Sequence, residues 1–143
     1  MGWKWFDDLK ANAKQKFAQW NNATFKNGIM AACALMTAAD GKVEAEEKKK
    51  VAKVIQTNEL LSVFDAGELA MLFGDFIGDA QDDIARLRLV SMVGKLKGTE
   101  QAPYVMQVAI VIANADGEFA EVEKNVAREL CRSLGLNAAD YGI

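Results

Sequence analysis

The residues best suited to chemistry lie in a short acidic pattern that occurs twice. The pattern is Asp-Gly-x-apolar-x-x-x-Glu, and its copies begin at Asp40 and Asp116. It matches the second half of an EF-hand calcium loop, where the Asp and the final Glu bind the ion and the glycine makes the turn. Carboxylates in this arrangement suit a divalent cation such as Ca²⁺ or Mg²⁺. The candidate metal ligands are Asp40, Glu44, Glu47, Asp116, Glu118 and Glu123.

Neither copy is a complete EF-hand, so a structural interpretation stands beside the metal one. The first ligand positions would be Met36 and Ile112, which have no side-chain oxygen. Glu47 and Glu123 fall near the third position of the following helices, where a carboxylate caps the helix start. Capping needs one carboxylate per helix, whereas eight of the 20 acidic residues lie in these two windows. Such clustering favours a bound cation or a basic partner surface.

Composition narrows the chemistry open to the chain. Its 143 residues contain no histidine, which excludes Ser-His-Asp and Cys-His catalysis and the common zinc sites. The formal net charge of −3 argues against nucleic acid as a partner. Cys33 and Cys131 are far apart in apolar surroundings, so we expect buried thiols in a reducing cytoplasm, with a redox role as the alternative. The chain is therefore not expected to be an enzyme.

Hydrophobic periodicity predicts helices throughout and no strand. Residues 1–24 are predicted to form an amphipathic N-terminal helix with lysines beside an aromatic face that includes Trp3, Trp5 and Trp20. This helix is expected to pack on its own domain, and peripheral contact with a membrane is the alternative. The longest apolar runs, 29–39 and 104–113, are too short to span a bilayer and are interpreted as core helices.

The acidic pattern belongs to a larger internal repeat. Residues 29–56 and 105–133 each consist of an apolar helix, an Asp-Gly turn and an amphipathic helix. We expect the two helix-loop-helix units to pack about a pseudo-twofold axis with the acidic loops outside. Further helices begin near Asp65, which has capping-box spacing to Glu68, and near Ile84. The expected fold is an all-α, single-domain bundle of about seven helices covering residues 1–143.

Basic residues follow each acidic loop. They are Lys48, Lys49, Lys50 and Lys53 in the first copy and Lys124, Arg128 and Arg132 in the second. We expect them to form i to i+4 ion pairs on solvated helix faces.

Three segments together resemble the TerB family of bacterial tellurite-resistance proteins. They are residues 39–48, residues 115–124 and the tail 133–143. The resemblance implies a cytoplasmic, all-helical protein of a stress-response operon that confers resistance to tellurium oxyanions. It also implies association with the inner membrane through the integral membrane protein TerC, other stress-operon partners, and acidic clusters suspected of binding metal. Matching positions carry these clusters to Asp40, Glu47, Asp116 and Glu123. Glu44 and Ala120 stand near the helix starts where a serine cap is familiar, so weaker capping is expected.

The leading hypothesis is a non-enzymatic, cation-binding adaptor or sensor that docks on an inner-membrane partner. The alternative from another class is a carboxylate-metal-dependent hydrolase of phosphate esters, although the sequence has no Walker motif. A third hypothesis is capture of tellurite by the two thiols.

Overall fold

The computed structural model describes residues 19–143, apart from the side chain of Asp116. In this part of the chain there are six α-helices and no strand, which confirms the all-α bundle. The predicted helix over residues 1–24 lies almost wholly outside it. The helices are α1 (Ala23–Thr37), α2 (Ala45–Thr57), α3 (Ala66–Ala80), α4 (Ala85–Gly94), α5 (Ala102–Ala113) and α6 (Glu121–Leu134). Short 3-10 turns cover Glu59–Val63, Asn114–Asp116 and Ala138–Tyr141.

Helix α1 forms the centre of the bundle. Every residue from Gly28 to Met36 is buried, because apolar side chains surround the helix instead of forming one stripe. It packs against α3, α4 and α5. The Asn22 side chain caps its first turn by accepting a hydrogen bond from the Phe25 amide at 3.0 Å. The position of the first acidic loop therefore depends on the best-packed helix of the described chain.

The two repeats share a backbone conformation as well as a sequence pattern. Helices α1 and α5 are the apolar members, and they contact one another directly. Each is followed by a glycine in the left-handed region, with φ of +84° at Gly41 and +81° at Gly117. An extended residue, Glu44 in one copy and Ala120 in the other, then leads into the amphipathic helix.

Several helix ends form as the sequence predicts. Asp65 accepts a hydrogen bond from the Glu68 amide at 2.9 Å, and Gly135 ends α6 with φ of +71°. At the start of α4, by contrast, two large apolar side chains are not buried. Ile84 is 82% exposed and Leu87 is 64% exposed, because α4 contacts its neighbours through Leu89 and Val93 instead.

A salt bridge with two hydrogen bonds joins α4 to α6. The Arg86 guanidinium donates to both carboxylate oxygens of Glu129, with Nη1 to Oε2 at 3.0 Å. This hydrogen bond lowers the pKa of Glu129 below its ordinary value of 4.5, although partial burial opposes the shift. The same contact raises the pKa of Arg86.

We expect Glu129→Gln to lower the free energy of unfolding at pH 7 by about 1–3 kcal/mol, because it breaks a two-point, charge-assisted bond. A carboxyl group whose pKa is lowered by folding stabilises the protein above its ordinary pKa. The wild type should therefore lose this stability as the pH falls below about 4.5, and Glu129→Gln should lose less over the same range. Urea unfolding at pH 7 and at pH 3 measures both effects.

The matched control is Asp79→Asn, which breaks the ion pair between Asp79 and Arg88. The Arg88 side chain is 62% exposed, so we expect a loss below about 1 kcal/mol. Equal losses in the two variants would contradict the special contribution of the Arg86 bridge.

Candidate functional site

The two acidic loops meet at one cavity of about 180 Å³. Carboxylates from both repeats line it: Asp40 and Glu47 from the first, Glu118 and Glu123 from the second. The remaining described lining residues are Met36, Thr37, Ala39, Ala120 and Val122. We call this space the acidic cavity. Sequence reasoning placed these carboxylates in two loops but left open whether the loops come together.

The first loop is held by short-range hydrogen bonds. The Gly41 amide donates to the Ala38 carbonyl at 2.9 Å, which closes the turn after α1. Asp40 Oδ1 accepts from the Lys42 amide at 3.0 Å, an Asx turn that fixes the side chain. The Asp40 side chain is exposed. This hydrogen bond occupies one of its carboxylate oxygens and orients the carboxylate.

The second loop repeats the turn and adds a helix cap. The Gly117 amide donates to the Asn114 carbonyl at 2.9 Å, matching the bond made by Gly41. The Asn114 side-chain amide donates to the Ile110 carbonyl at 2.9 Å. Glu123 Oε1 accepts from the Ala120 amide at 2.9 Å, so the structural interpretation of Glu123 as a capping residue is confirmed. Glu123 therefore caps α6 and lines the acidic cavity at once.

The other candidate ligands differ in exposure. Glu47 is half-buried, and its Oε1 atom is shielded from solvent. Glu118 is exposed at the cavity edge. Glu44 is exposed where α2 begins, makes no side-chain cap hydrogen bond and is not among the described residues that line the cavity. The side chain of Asp116 lies outside the described structure.

The donor chemistry suits Ca²⁺ or Mg²⁺, but the described carboxylates surround the cavity without converging on one point. Among residues whose placement is described, no three Asp, Glu or Cys side chains are close enough to hold one ion. Mg²⁺ keeps several waters when it binds proteins, and Ca²⁺ accepts a flexible oxygen shell. A cation here would therefore be held partly through water, by Asp40, Glu47, Glu118 and Glu123. The metal role of the six predicted ligands stays a prediction.

Both cysteines are buried and weakly acidic. Desolvation raises the pKa of Cys33 from 9.0 to about 12 and that of Cys131 from 9.0 to about 11. Cys33 lies in the middle of α1 and has no exposed surface. Because the thiolate is the reactive form, neither side chain is prepared for redox chemistry near neutral pH.

We expect both thiols of the folded protein to react with a disulfide reagent at pH 8 at least about a hundredfold more slowly than in urea, since each pKa unit lowers the thiolate fraction about tenfold. Unfolded thiols ionise near pH 9.0, whereas the folded thiols do not. The buried, protonated thiols therefore stabilise the folded protein below pH 9, and this stability is lost as the pH rises towards 11. Labelling Cys33→Ser and Cys131→Ser separately measures each thiol, and fast labelling of the folded chain would contradict the assignment.

The basic residues that follow the two loops differ in the contacts they make. On α6, Arg128 donates to Asn125 at 2.7 Å and lies 3.8 Å from Glu121, while Lys124 lies 6.0 Å from the Phe119 ring centre. On α2, Lys48, Lys49 and Lys53 make no ion pair with any described residue. The predicted i to i+4 pairing is therefore wrong for these three lysines.

The aromatic N-terminal segment is described only from its last residues. Trp20 packs edge-on against Phe25 and Tyr104, with ring centres 5.5 and 5.3 Å apart. Trp3 and Trp5 lie outside the described residues, so membrane contact through this segment stays a prediction. Within residues 19–143, none of the helices has the length and hydrophobicity needed to cross a membrane.

Fold and cavity together define an all-helical protein whose duplicated acidic loops meet at one cavity. Residues 26–142 match the family of the tellurite resistance protein TerB, and the chain belongs to that family. It is similar to the tellurium resistance protein TerB of Alcaligenes sp., with 29% identity over 70 residues. That similarity covers 49% of this chain and 57% of the relative, so the match spans little more than half of the relative's length. No solved structure matches the chain.

Proposed function

We propose that this protein acts in tellurite resistance as a non-enzymatic adaptor, and that its acidic cavity binds a divalent cation, Ca²⁺ or Mg²⁺. The observation that carries the proposal is the meeting of the two acidic loops at one cavity, although Asp40 and Glu118 are far apart in the sequence. Family membership supports the role in resistance.

Electrostatics supports a positively charged ligand. Four carboxylates line one cavity of about 180 Å³, which concentrates negative charge at this surface. Helix capping accounts for one oxygen of Glu123, and the Asx turn accounts for one oxygen of Asp40. Glu118 makes no hydrogen bond or ion pair with a described residue, and it is exposed at the cavity. A bound cation would neutralise part of this negative charge.

Cation binding is tested by NMR titration of the full chain with Ca²⁺ and with Mg²⁺. We expect saturable shifts in the amide signals of Gly41, Lys42, Gly117 and Glu118. Asp40→Asn combined with Glu118→Gln should weaken binding at least about tenfold, because affinity for these ions follows the charge of the ligand set. Asp40→Asn preserves the acceptor for the Lys42 amide, so the turn should survive.

The matched control is Asp82→Asn combined with Asp83→Asn. Asp82 accepts from the Ile84 amide at 2.9 Å, which is the same local arrangement as at Asp40, in a turn outside the acidic cavity. The control should bind the cation as the wild type does. Equal, featureless responses in the wild type and both variants would refute cation binding.

The adaptor role also requires a partner, which we propose to be a TerC-type inner-membrane protein. The purified chain should bind this protein in detergent, and the binding should weaken when the cation is chelated or when Asp40→Asn and Glu118→Gln are combined. Failure of the wild type to bind would remove the partner while leaving the cation site intact.

A further inference from the structure

A groove of about 510 Å³ lies beside α2, distinct from the acidic cavity. The described residues that line it are Glu46, Glu47, Lys49, Lys50 and Lys53. Three of its five described lining residues are therefore cationic, in a chain whose formal net charge is −3. The charge of this surface is opposite to that of the neighbouring cavity. We call it the lysine groove.

The spacing of two of these lysines destabilises helix α2. Lys49 and Lys53 are four residues apart and so lie on the same face, where like charges destabilise a helix. Within α2, four lysines accompany two glutamates. One of these, Glu47, also lines the acidic cavity and has an oxygen shielded from solvent. Glu46 and Glu47 together can offset only part of the positive charge of the four lysines.

Three cations elsewhere in the described structure pair with carboxylates, whereas the exposed Lys42, Lys95 and Lys97 form no such pair with the described residues. Lys26 pairs with Glu68, Arg88 with Asp79 and Arg86 with Glu129. Lys49 and Lys53 form no such pair with the described residues, even though Glu46 is three residues from Lys49 on the same helix. Their ammonium groups are therefore available to a ligand from solution.

We infer that the lysine groove is a binding site for a small, free oxyanion of the phosphate type, held by Lys49 and Lys53 with Lys50 beside them. An ammonium group is a compact charge with three donors that binds phosphate oxygens well. One dianion placed between residues a single helical turn apart would neutralise both charges and remove their repulsion. The site goes beyond the proposed cation binding and uses different residues.

The probe is inorganic phosphate, added to the full chain at constant ionic strength with chloride as the reference. Amide and lysine side-chain NMR signals of residues 46–53 should shift and saturate in the millimolar range. Lys49→Gln combined with Lys53→Gln should weaken binding about tenfold, whereas Lys49→Arg combined with Lys53→Arg should retain it. Lys95→Gln combined with Lys97→Gln is the control, because it removes the same charge from two other exposed lysines.

Three results would overturn the assignment. One is a phosphate response no larger than the chloride response. Another is equal weakening by the Lys49 and Lys53 pair and by the Lys95 and Lys97 control, which would show general screening. The third is binding to vesicles containing phosphatidylglycerol without any response to free phosphate, which would make the face a membrane contact. The variant combining Asp40→Asn with Glu118→Gln should keep its phosphate response, so failure of the cation proposal is distinguishable from failure of this one.

Discussion

Gly28→Val is expected to lower the free energy of unfolding by about 3 kcal/mol, because α1 and α4 pack too closely at this point for a larger residue. A Cβ atom at Gly28 would lie 2.5 Å from Leu96 Cδ1 and 3.5 Å from the Met92 carbonyl oxygen. Leu96 is itself buried, so its side chain has little room to move. Urea unfolding followed by circular dichroism measures the loss.

Gly78→Ala is the matched control for this substitution. Gly78 also lies in a helix, α3, but a Cβ atom there would meet no other atom within 4 Å. Because alanine favours a helix over glycine, we expect Gly78→Ala to raise stability by about 0.5–1 kcal/mol. Loss of less than about 1 kcal/mol in Gly28→Val would contradict the close packing of α1 against α4.

Phe25→Ala is expected to lower the free energy of unfolding by about 3–5 kcal/mol, the usual cost of emptying a buried aromatic position. The ring has no exposed surface and lies between Trp20 and Phe64, with centre distances of 5.5 and 6.2 Å. The free energy of unfolding of a single domain is about 5–15 kcal/mol in total, so the variant should be close to unfolding at 37 °C. Thermal melts followed by tryptophan fluorescence and circular dichroism check it.

Phe25→Leu separates loss of volume from loss of the aromatic contacts. It keeps most of the apolar contact and should cost less than half as much as alanine. Equal costs for leucine and alanine would indicate that the aromatic contacts, instead of the filled volume, stabilise this end of α1.

Helix type and order were predictable because long apolar runs and amphipathic segments alternate along the chain and turn residues separate them. Residues of α1 and α5 are apolar on all sides, which is typical of buried helices, and the Asp-Gly pairs mark their ends. The Asp-Gly pairs also indicate the conformation of Gly41 and Gly117, since glycine enters the left-handed region without a Cβ clash.

Surface details were less predictable, because a pattern identifies an apolar residue without identifying what covers it. Ile84 and Leu87 fit a helical stripe, yet no neighbour in the described structure buries them. Lys48 and Lys49 have glutamates four and three residues earlier, at Glu44 and Glu46, yet pairing between exposed side chains gains too little free energy to be guaranteed.

The acidic site was predictable residue by residue but not as a whole. Spacing alone could propose Glu123 as a cap or as a cation ligand, and the structure places it at the cavity while its Oε1 caps α6. The two interpretations are therefore compatible. Only the packing of α1 against α5 brings Asp40 and Glu118 to one cavity, and no local pattern encodes that distance.

Equilibrium dialysis of the full chain against Ca²⁺ and Mg²⁺, with the bound ions counted per chain, tests the shared cavity most directly. Two loops that enclose one cavity predict a single bound ion, which disappears when Asp40→Asn and Glu118→Gln are combined. Two equivalent ions per chain would show that each loop binds alone, and no bound ion at millimolar concentrations would show that the cavity does not bind a divalent cation.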